Sequence, residues 1–307
     1  MRAITYDQYG DPDVLTLIDL PEPKVGPAEV LVRVRSAAVN PVDWKVAAGG
    51  LDGMMNTVFP AIPGWDVAGV VERVGLDTPE FAPGDEVIAY ARKDYVQGGT
   101  FAEFVTVPVR AVARKPALLD WDQAAGLPLA GLTAYQLLSR LGLREGETVL
   151  VHAAAGGVGI LAVQIARATG AEVIGTASEA NHEVLRSFGA EPVEYGDGLA
   201  DRVREIAPDG VDVVVDFIGG VLDTTLAVLK DGGRHGSIVE GEAAAHGGLY
   251  AWVRPNAADL QTLSDLADQG RLTVPVAQVF PLEKAADAFR LSQGGHVRGK
   301  IAVEVSR

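Results

Sequence analysis

The sequence predicts an α/β chain in which a doubly wound parallel sheet is joined to a β-rich domain, and three observations carry that expectation. Residues 149–164 run from an apolar stretch into a glycine-rich turn and on into a helical pattern. Strand and helix signals then repeat through the middle of the chain, as a parallel sheet with crossover helices requires. The first 118 or so residues behave differently, as short β-branched runs cut by Pro and Gly. This is the signature of antiparallel or mixed β structure.

In chain order, the β-rich part has apolar runs at 30–35, 67–74, 85–89 and 101–107, with turn signals at 81–86 and at Gly98-Gly99. From Trp121 onward the composition shifts to Ala and Leu at helical spacing, which puts a domain boundary near 118–122. Residues 147–152 read as a buried strand, 160–169 as an apolar helix and 170–175 as a second strand, one βαβ unit of about thirty residues. A further strand at Val211–Asp216 ends in Gly219-Gly220, and another is expected at 233–239. A helix at Ala257–Asp268, a second helix at 282–291 and a last strand at 300–305 close the chain. The expected division is therefore a β-rich domain over 1–118 completed by 254–307, with a dinucleotide-binding domain over 119–253. The ligand site is expected in the cleft between them, at the carboxyl ends of the parallel strands.

The turn is where chemistry is expected first. On a G-x-G-x-x-G frame the glycines fall at Gly156 and Gly159, and Ala154 takes the first glycine's place. Such a turn lets backbone N–H groups at a helix start approach a pyrophosphate closely. Ala155, Gly156, Gly157 and Val158 are the candidate cofactor-binding residues of this segment. A glycine fingerprint with an alanine in it is weak by itself, and the strand–turn–helix context is what supports it. The bland alternative is that the glycines only permit tight packing of strand against helix.

Composition narrows the function classes. A chain of 307 residues that is 48% hydrophobic can bury a large core, and its formal charge of −15 works against nucleic acid or an anionic membrane as the main partner. With no cysteine there is no disulfide, thiolate nucleophile or cysteine-ligated metal. The five histidines, His152, His182, His235, His246 and His296, have no metal-ligand or hydrolase spacing, so no metal site is expected. His152, ending an apolar strand, reads better as a packed, hydrogen-bonded histidine than as a ligand. Residues 1–8 have no apolar signal core, and a cytoplasmic location is expected.

Several ordered segments together resemble a known family: Asn40-Pro-Val-Asp-Trp-Lys45, Pro63-Gly-Trp-Asp-Val-Ala-Gly-Val-Val71, Pro83-Gly-Asp-Glu-Val87, Gly99-Thr-Phe-Ala-Glu-Phe104, Leu127-Pro-Leu-Ala-Gly-Leu-Thr-Ala-Tyr135, Ala153-Ala-Ala-Gly-Gly-Val-Gly159 and His296-Val-Arg-Gly-Lys300. In this order the chain resembles the zinc-free medium-chain dehydrogenase/reductases of the quinone oxidoreductase, or zeta-crystallin-like, type. The resemblance implies a GroES-like β-domain plus a Rossmann domain, a nicotinamide cofactor and a homodimer. It also places Asn40 where the zinc alcohol dehydrogenases have a cysteine ligand, and Trp65-Asp66 where they have a His-Glu pair. Without a Lewis acid to polarise an alcohol, the implied chemistry is hydride delivery to an acceptor that is already electrophilic, a quinone or an α,β-unsaturated carbonyl. Alternatives are an enoyl-type reductase with a dedicated metabolic substrate, and a crystallin-like protein that binds nucleotide without turnover.

The residue expected at the end of the second parallel strand is Thr176, and the lack of an acid there favours NADPH, with NADH possible. The resemblance implies that Ser178 and Tyr195 border the 2′-phosphate. Glu179 argues the other way if it faces the phosphate. Arg254 matches a basic family position near the cofactor, or is a solvated arginine. On the catalytic side the resemblance points Thr133 at the nicotinamide ring, its alternative being a helix-cap hydroxyl. Asn40 is the candidate hydrogen-bond donor to a substrate carbonyl, or the anchor of an Asn-Pro turn. Lys45 is a candidate acid/base group, and Asp43, two residues away, is read as its ion-pair partner. Trp44 and Trp65 either wall a pocket or fill the core. No tyrosine proton donor stands out after Lys45, which leaves water to protonate an enolate.

Overall fold

The computed structural model describes residues 1–295 and 297–306, and His296 therefore lies outside the described residues. The chain divides into two compact units, Met1–Leu132 with the segment from Pro255 onward, and Thr133–Arg254. The first unit thus runs to Leu132, past the boundary expected at 118. The reason is the helix Trp121–Ala125, which starts with a reciprocal cap between Asp120 and Gln123 and packs on the strands Glu29–Val39 and Asp66–Val74 of the first unit.

In the first unit the strands run in the order Val276–Pro281, Lys300–Glu304, Glu29–Val39, Asp66–Val74, Glu86–Tyr90, Val112–Arg114, and Phe104–Pro108 also pairs with Glu29–Val39. The expected strand at 30–35 extends to Val39 because its second half is buried throughout, pairing with Lys300–Glu304 on one edge and Asp66–Val74 on the other. Burial on both faces removes the alternation by which a strand is read from sequence. Two small two-stranded sheets were not foreseen, Arg2–Thr5 with Thr16–Asp19, and Thr57–Ile62 with Val96–Gly98. All four residues of Thr16–Asp19 are exposed, so no apolar pattern marks them.

The second unit is a six-stranded parallel sheet in the order Ala190–Glu194, Glu172–Ala177, Thr148–Val151, Val211–Asp216, Leu229–Ser237, Leu249–Tyr250. Numbered within the unit this is 3-2-1-4-5-6, the doubly wound dinucleotide fold, with its topological switch point between Thr148–Val151 and Val211–Asp216. Leu150, Ile174, Val193, Val211, Val214 and Val228 form a buried core at the sheet. Among the described residues no helix is long and apolar enough to cross a membrane.

Candidate active site

The strand Thr148–Val151 passes into the turn at residues 152–158, and the helix Gly159–Thr169 follows. The turn is pinned at its base: Ala153, in the left-handed region at φ 54°, donates its N–H to Thr176 Oγ1 at 3.0 Å, and Ala154 donates to the Thr176 carbonyl at 2.9 Å. Gly156 N–H is taken by the Ala153 carbonyl at 3.0 Å. The N–H groups of Ala155, Gly157 and Val158 find no acceptor among the described residues. Together with the positive end of an eleven-residue helix, they form a cradle suited to a pyrophosphate. A Cβ on Gly159 would lie 2.2 Å from the Ala153 oxygen, so only glycine lets helix and turn approach this closely.

Thr176 therefore shapes the turn rather than ending its strand. The strand runs to Ala177, and Ser178 is the first residue beyond it. Ala177 pairs with Glu194, so the next residues, Ser178 and Tyr195, leave adjacent strands side by side. Ser178 Oγ accepts a bond from Asn181 Nδ2 at 3.1 Å, and Tyr195 is exposed. Glu179 is exposed in the short 3₁₀ turn that follows. The sequence reading missed Arg202, which donates to the Glu194 and Asp197 carbonyls at 2.8 Å each and makes no ion pair among the described residues. Its charge stands beside Tyr195 on the same loop.

On the neighbouring side of the switch point, Asp216 organises the next loop. Its Oδ1 accepts from Ile218 and Gly219 N–H at 2.8 and 2.9 Å, and its Oδ2 from Ser237 Oγ at 2.6 Å. His152 is buried with Nε2 3.4 Å from Thr225 Oγ1, and burial lowers its pKa to about 4. It is a neutral packing residue at physiological pH.

The second cluster lies in the first unit and is entirely buried. Asn40 closes the strand Glu29–Val39 and starts the helix Pro41–Ala47, with Pro41 at the first helical position. Its side chain does not cap that helix. Nδ2 donates to Asp66 Oδ2 at 2.8 Å, and Oδ1 accepts from Lys300 Nζ at 2.5 Å. Lys300 also donates to the Val39 carbonyl at 3.2 Å and stands 4.0 Å from Asp66 Oδ2. Asp66 Oδ1 accepts the Leu129 N–H at 2.7 Å, near the start of the helix Pro128–Arg140, where a carboxylate is favoured by the helix dipole. Capping of the Asn40 helix falls to Asp43, whose Oδ2 accepts the Asn40 N–H at 2.7 Å. The expected Asp43–Lys45 ion pair is absent: Asp43 is buried, Lys45 is exposed over the Trp44 ring at 5.5 Å, and residues two apart on a helix do not face each other.

Burial dominates the electrostatics here. It pushes the Asp43 carboxyl up to about 8 and Asp66 up to about 6, and it lowers Lys300. Asp43 Oδ1 and the hydroxyls of Tyr6 and Tyr90 are buried without partners. Burial also raises both tyrosines. These buried tyrosines lie outside the segment searched for a tyrosine by sequence. Trp65 is core, edge-on to Tyr90 at 6.1 Å. The donor set does not suit zinc: Asn40 and Asp66 are the only ligand-type side chains of the trio, and an ammonium already occupies their shared side. Among the described residues no group of three or more His, Asp or Glu could hold a metal ion.

Two remaining candidates are placed as follows. Thr133 is buried in the interior of the helix Pro128–Arg140, so it is not a cap residue. Arg254 has an exposed side chain, and its backbone is clamped by Gln136, which donates to its carbonyl at 2.9 Å and accepts its N–H at 3.0 Å.

Residues 26–117 match the family model for the alcohol dehydrogenase GroES-like domain, and residues 188–303 match the zinc-binding dehydrogenase model. An NADPH-dependent alkenal/one oxidoreductase of Arabidopsis thaliana is 35% identical over 99% of this chain and 79% of its own length. The chain belongs to the medium-chain dehydrogenase/reductases, in their zinc-free quinone oxidoreductase branch. Among solved structures, the quinone oxidoreductase of Coxiella burnetii superposes with a TM-score of 0.85 at 33% identity, covering 100% of this chain and 99% of that one. A structure described as an NAD-dependent alcohol dehydrogenase has a TM-score of 0.90, also at 33% identity, with both chains covered in full. The zinc-binding label of the matched model thus spans a branch in which this chain offers no zinc donor set.

Proposed function

We propose that this chain is a zinc-independent, NADPH-dependent oxidoreductase that delivers hydride to quinones or α,β-unsaturated carbonyls. The observation that carries the reading is the turn at 155–158, with three free N–H groups at a helix start beside the switch point of a 3-2-1-4-5-6 sheet. The relative named for NADPH-dependent alkenal/one reduction, and the quinone oxidoreductases, support the substrate class.

When bound, the reduced nicotinamide supplies the hydride. Ala155, Gly157 and Val158 hold the pyrophosphate through backbone N–H groups, and Thr176 keeps their turn in shape. Ser178, Tyr195 and the charge of Arg202 favour a 2′-phosphate, while Glu179 and the NAD-dependent alcohol dehydrogenase relative keep NADH as a second cofactor. Thr133 orients the ring. Asn40 presents one amide hydrogen to the acceptor oxygen, which becomes an enolate as hydride reaches the β-carbon. Lys45 and Arg254 contribute from exposed positions, Arg254 toward the cofactor. Solvent water then protonates the enolate. A cytoplasmic homodimer completes the reading. Loss of NADPH absorbance on mixing with a panel of quinones and enones, unchanged by a zinc chelator, tests it; absence of turnover across the panel refutes the acceptor class.

A further inference from the structure

Asn40 is held by two partners of opposite charge, and that arrangement has an order to it. Its carbonyl oxygen meets the Lys300 ammonium, and its amide nitrogen meets the Asp66 carboxylate. Turning the amide over would set oxygen against carboxylate and NH₂ against ammonium, two repulsive contacts in a site without water to screen them. All three side chains are buried: Asn40 is 2% exposed, Asp66 0% and Lys300 4%. The amide has two N–H donors, and Asp66 takes one. The other is uncommitted. An ammonium on the carbonyl side also draws electron density through the amide and strengthens the remaining N–H as a donor.

We propose that Asp66 and Lys300 are positioning residues that fix and polarise the Asn40 amide, so that its free N–H stabilises the enolate oxygen formed on the acceptor. The inference rests on Asn40 as the substrate-side donor. It explains why a branch with no metal retains a buried ion pair: the pair brings no net charge, yet passes the influence of a cation to the reacting oxygen through a neutral amide. Asp66 has a second task, holding the Leu129 N–H. Lower activity in a single variant therefore proves nothing about positioning.

The test is a double-mutant cycle on kcat for NADPH-dependent reduction of but-3-en-2-one, with NADPH Kd and Tm measured for every variant. Asn40→Ala is expected to lower kcat by about 10²-fold, the effect of removing one oxyanion donor. Lys300→Met should lower it about tenfold or more on the wild-type background, and not at all when Asn40 is already alanine. Lys300→Arg, which restores a cationic donor, should recover much of the loss. Unchanged kcat in Asn40→Ala would overturn the role of Asn40 and this inference with it. A slow Asn40→Ala combined with an additive Lys300→Met would overturn the positioning role alone. If Lys300→Met does not fold, the isosteric Asp66→Asn replaces it in the cycle, and additivity is again the overturning result.

Discussion

Replacing Gly159 by alanine is the sharpest test of the cofactor turn. The added Cβ would lie 2.2 Å from the Ala153 oxygen, 2.9 Å from its carbon and 2.7 Å from Ala154 Cα, all backbone atoms. That is roughly 1 Å inside ordinary contact, so the turn must move. A displacement of that size takes N–H donors out of hydrogen-bond range of a fixed phosphate, and each bond to a charged group contributes about 1.5–3 kcal/mol. Losing two costs about 3–6 kcal/mol, or about 10²- to 10⁴-fold in Kd. Overpacking adds a fold destabilisation of about 1–3 kcal/mol. Gly156→Ala is the control, since its Cβ meets only the Ala153 oxygen, at 3.3 Å, and a small adjustment accommodates it. Titration by NADPH fluorescence, with Tm recorded alongside, measures both. A folded Gly159→Ala that binds NADPH within tenfold of wild type would refute the assignment of this turn to the pyrophosphate.

Other outcomes follow from the same geometry. Arg202→Gln should raise KM for NADPH by about tenfold, the size of one charge-assisted contact, and leave KM for NADH unchanged; equal effects on both cofactors would remove Arg202 from the phosphate site. His152 has a folded pKa of about 4 against an ordinary 6.5, so the unfolded chain binds the extra proton between those values. Its contribution is complete above pH 6.5 and is lost as pH falls toward 4, about 3 kcal/mol in all. Urea denaturation of His152→Gln across that window should show a shallower loss than wild type. Asp43 works with the opposite sign: its folded pKa is raised from 3.8 to about 8, so wild-type stability falls as pH rises through that interval. Asp43→Asn resembles the protonated carboxyl and keeps an acceptor for the Asn40 N–H. It should therefore gain on wild type between about pH 5 and pH 8. A difference independent of pH would show that Asp43 does not hold its proton.

What could be read from the sequence was local. Val211–Asp216 and Ala257–Asp268 lie where their apolar patterns put them, because one is a buried parallel strand and the other a helix with one apolar side. The glycine turn was legible for the same reason. The Asn40 cluster was not: Asp66 and Lys300 are 26 and 260 residues away, and only the pairing of Glu29–Val39 with both Asp66–Val74 and Lys300–Glu304 brings them to one amide. Arg202 was missed because its relevance depends on the Ala177–Glu194 register, which no local pattern encodes. Thr176 was taken for the strand end because the two residues that follow carry no clear stop signal.

The alanine in the glycine fingerprint shows the same dependence on distant residues. Ala154 is buried, and its methyl occupies space that a side chain on the next strand would fill: a Cβ on Gly175 would lie 2.8 Å from the Ala154 Cβ. The usual first glycine keeps that space open from within the turn, whereas here Gly175 keeps it open from across the sheet. Thr176, beside Gly175, then supplies the hydroxyl that holds Ala153 in its left-handed conformation. Two neighbouring residues of the second strand thus permit a turn that the first strand's own sequence would not fully specify, and the departure at Ala154 weakens the motif as text without weakening the phosphate cradle as a structure.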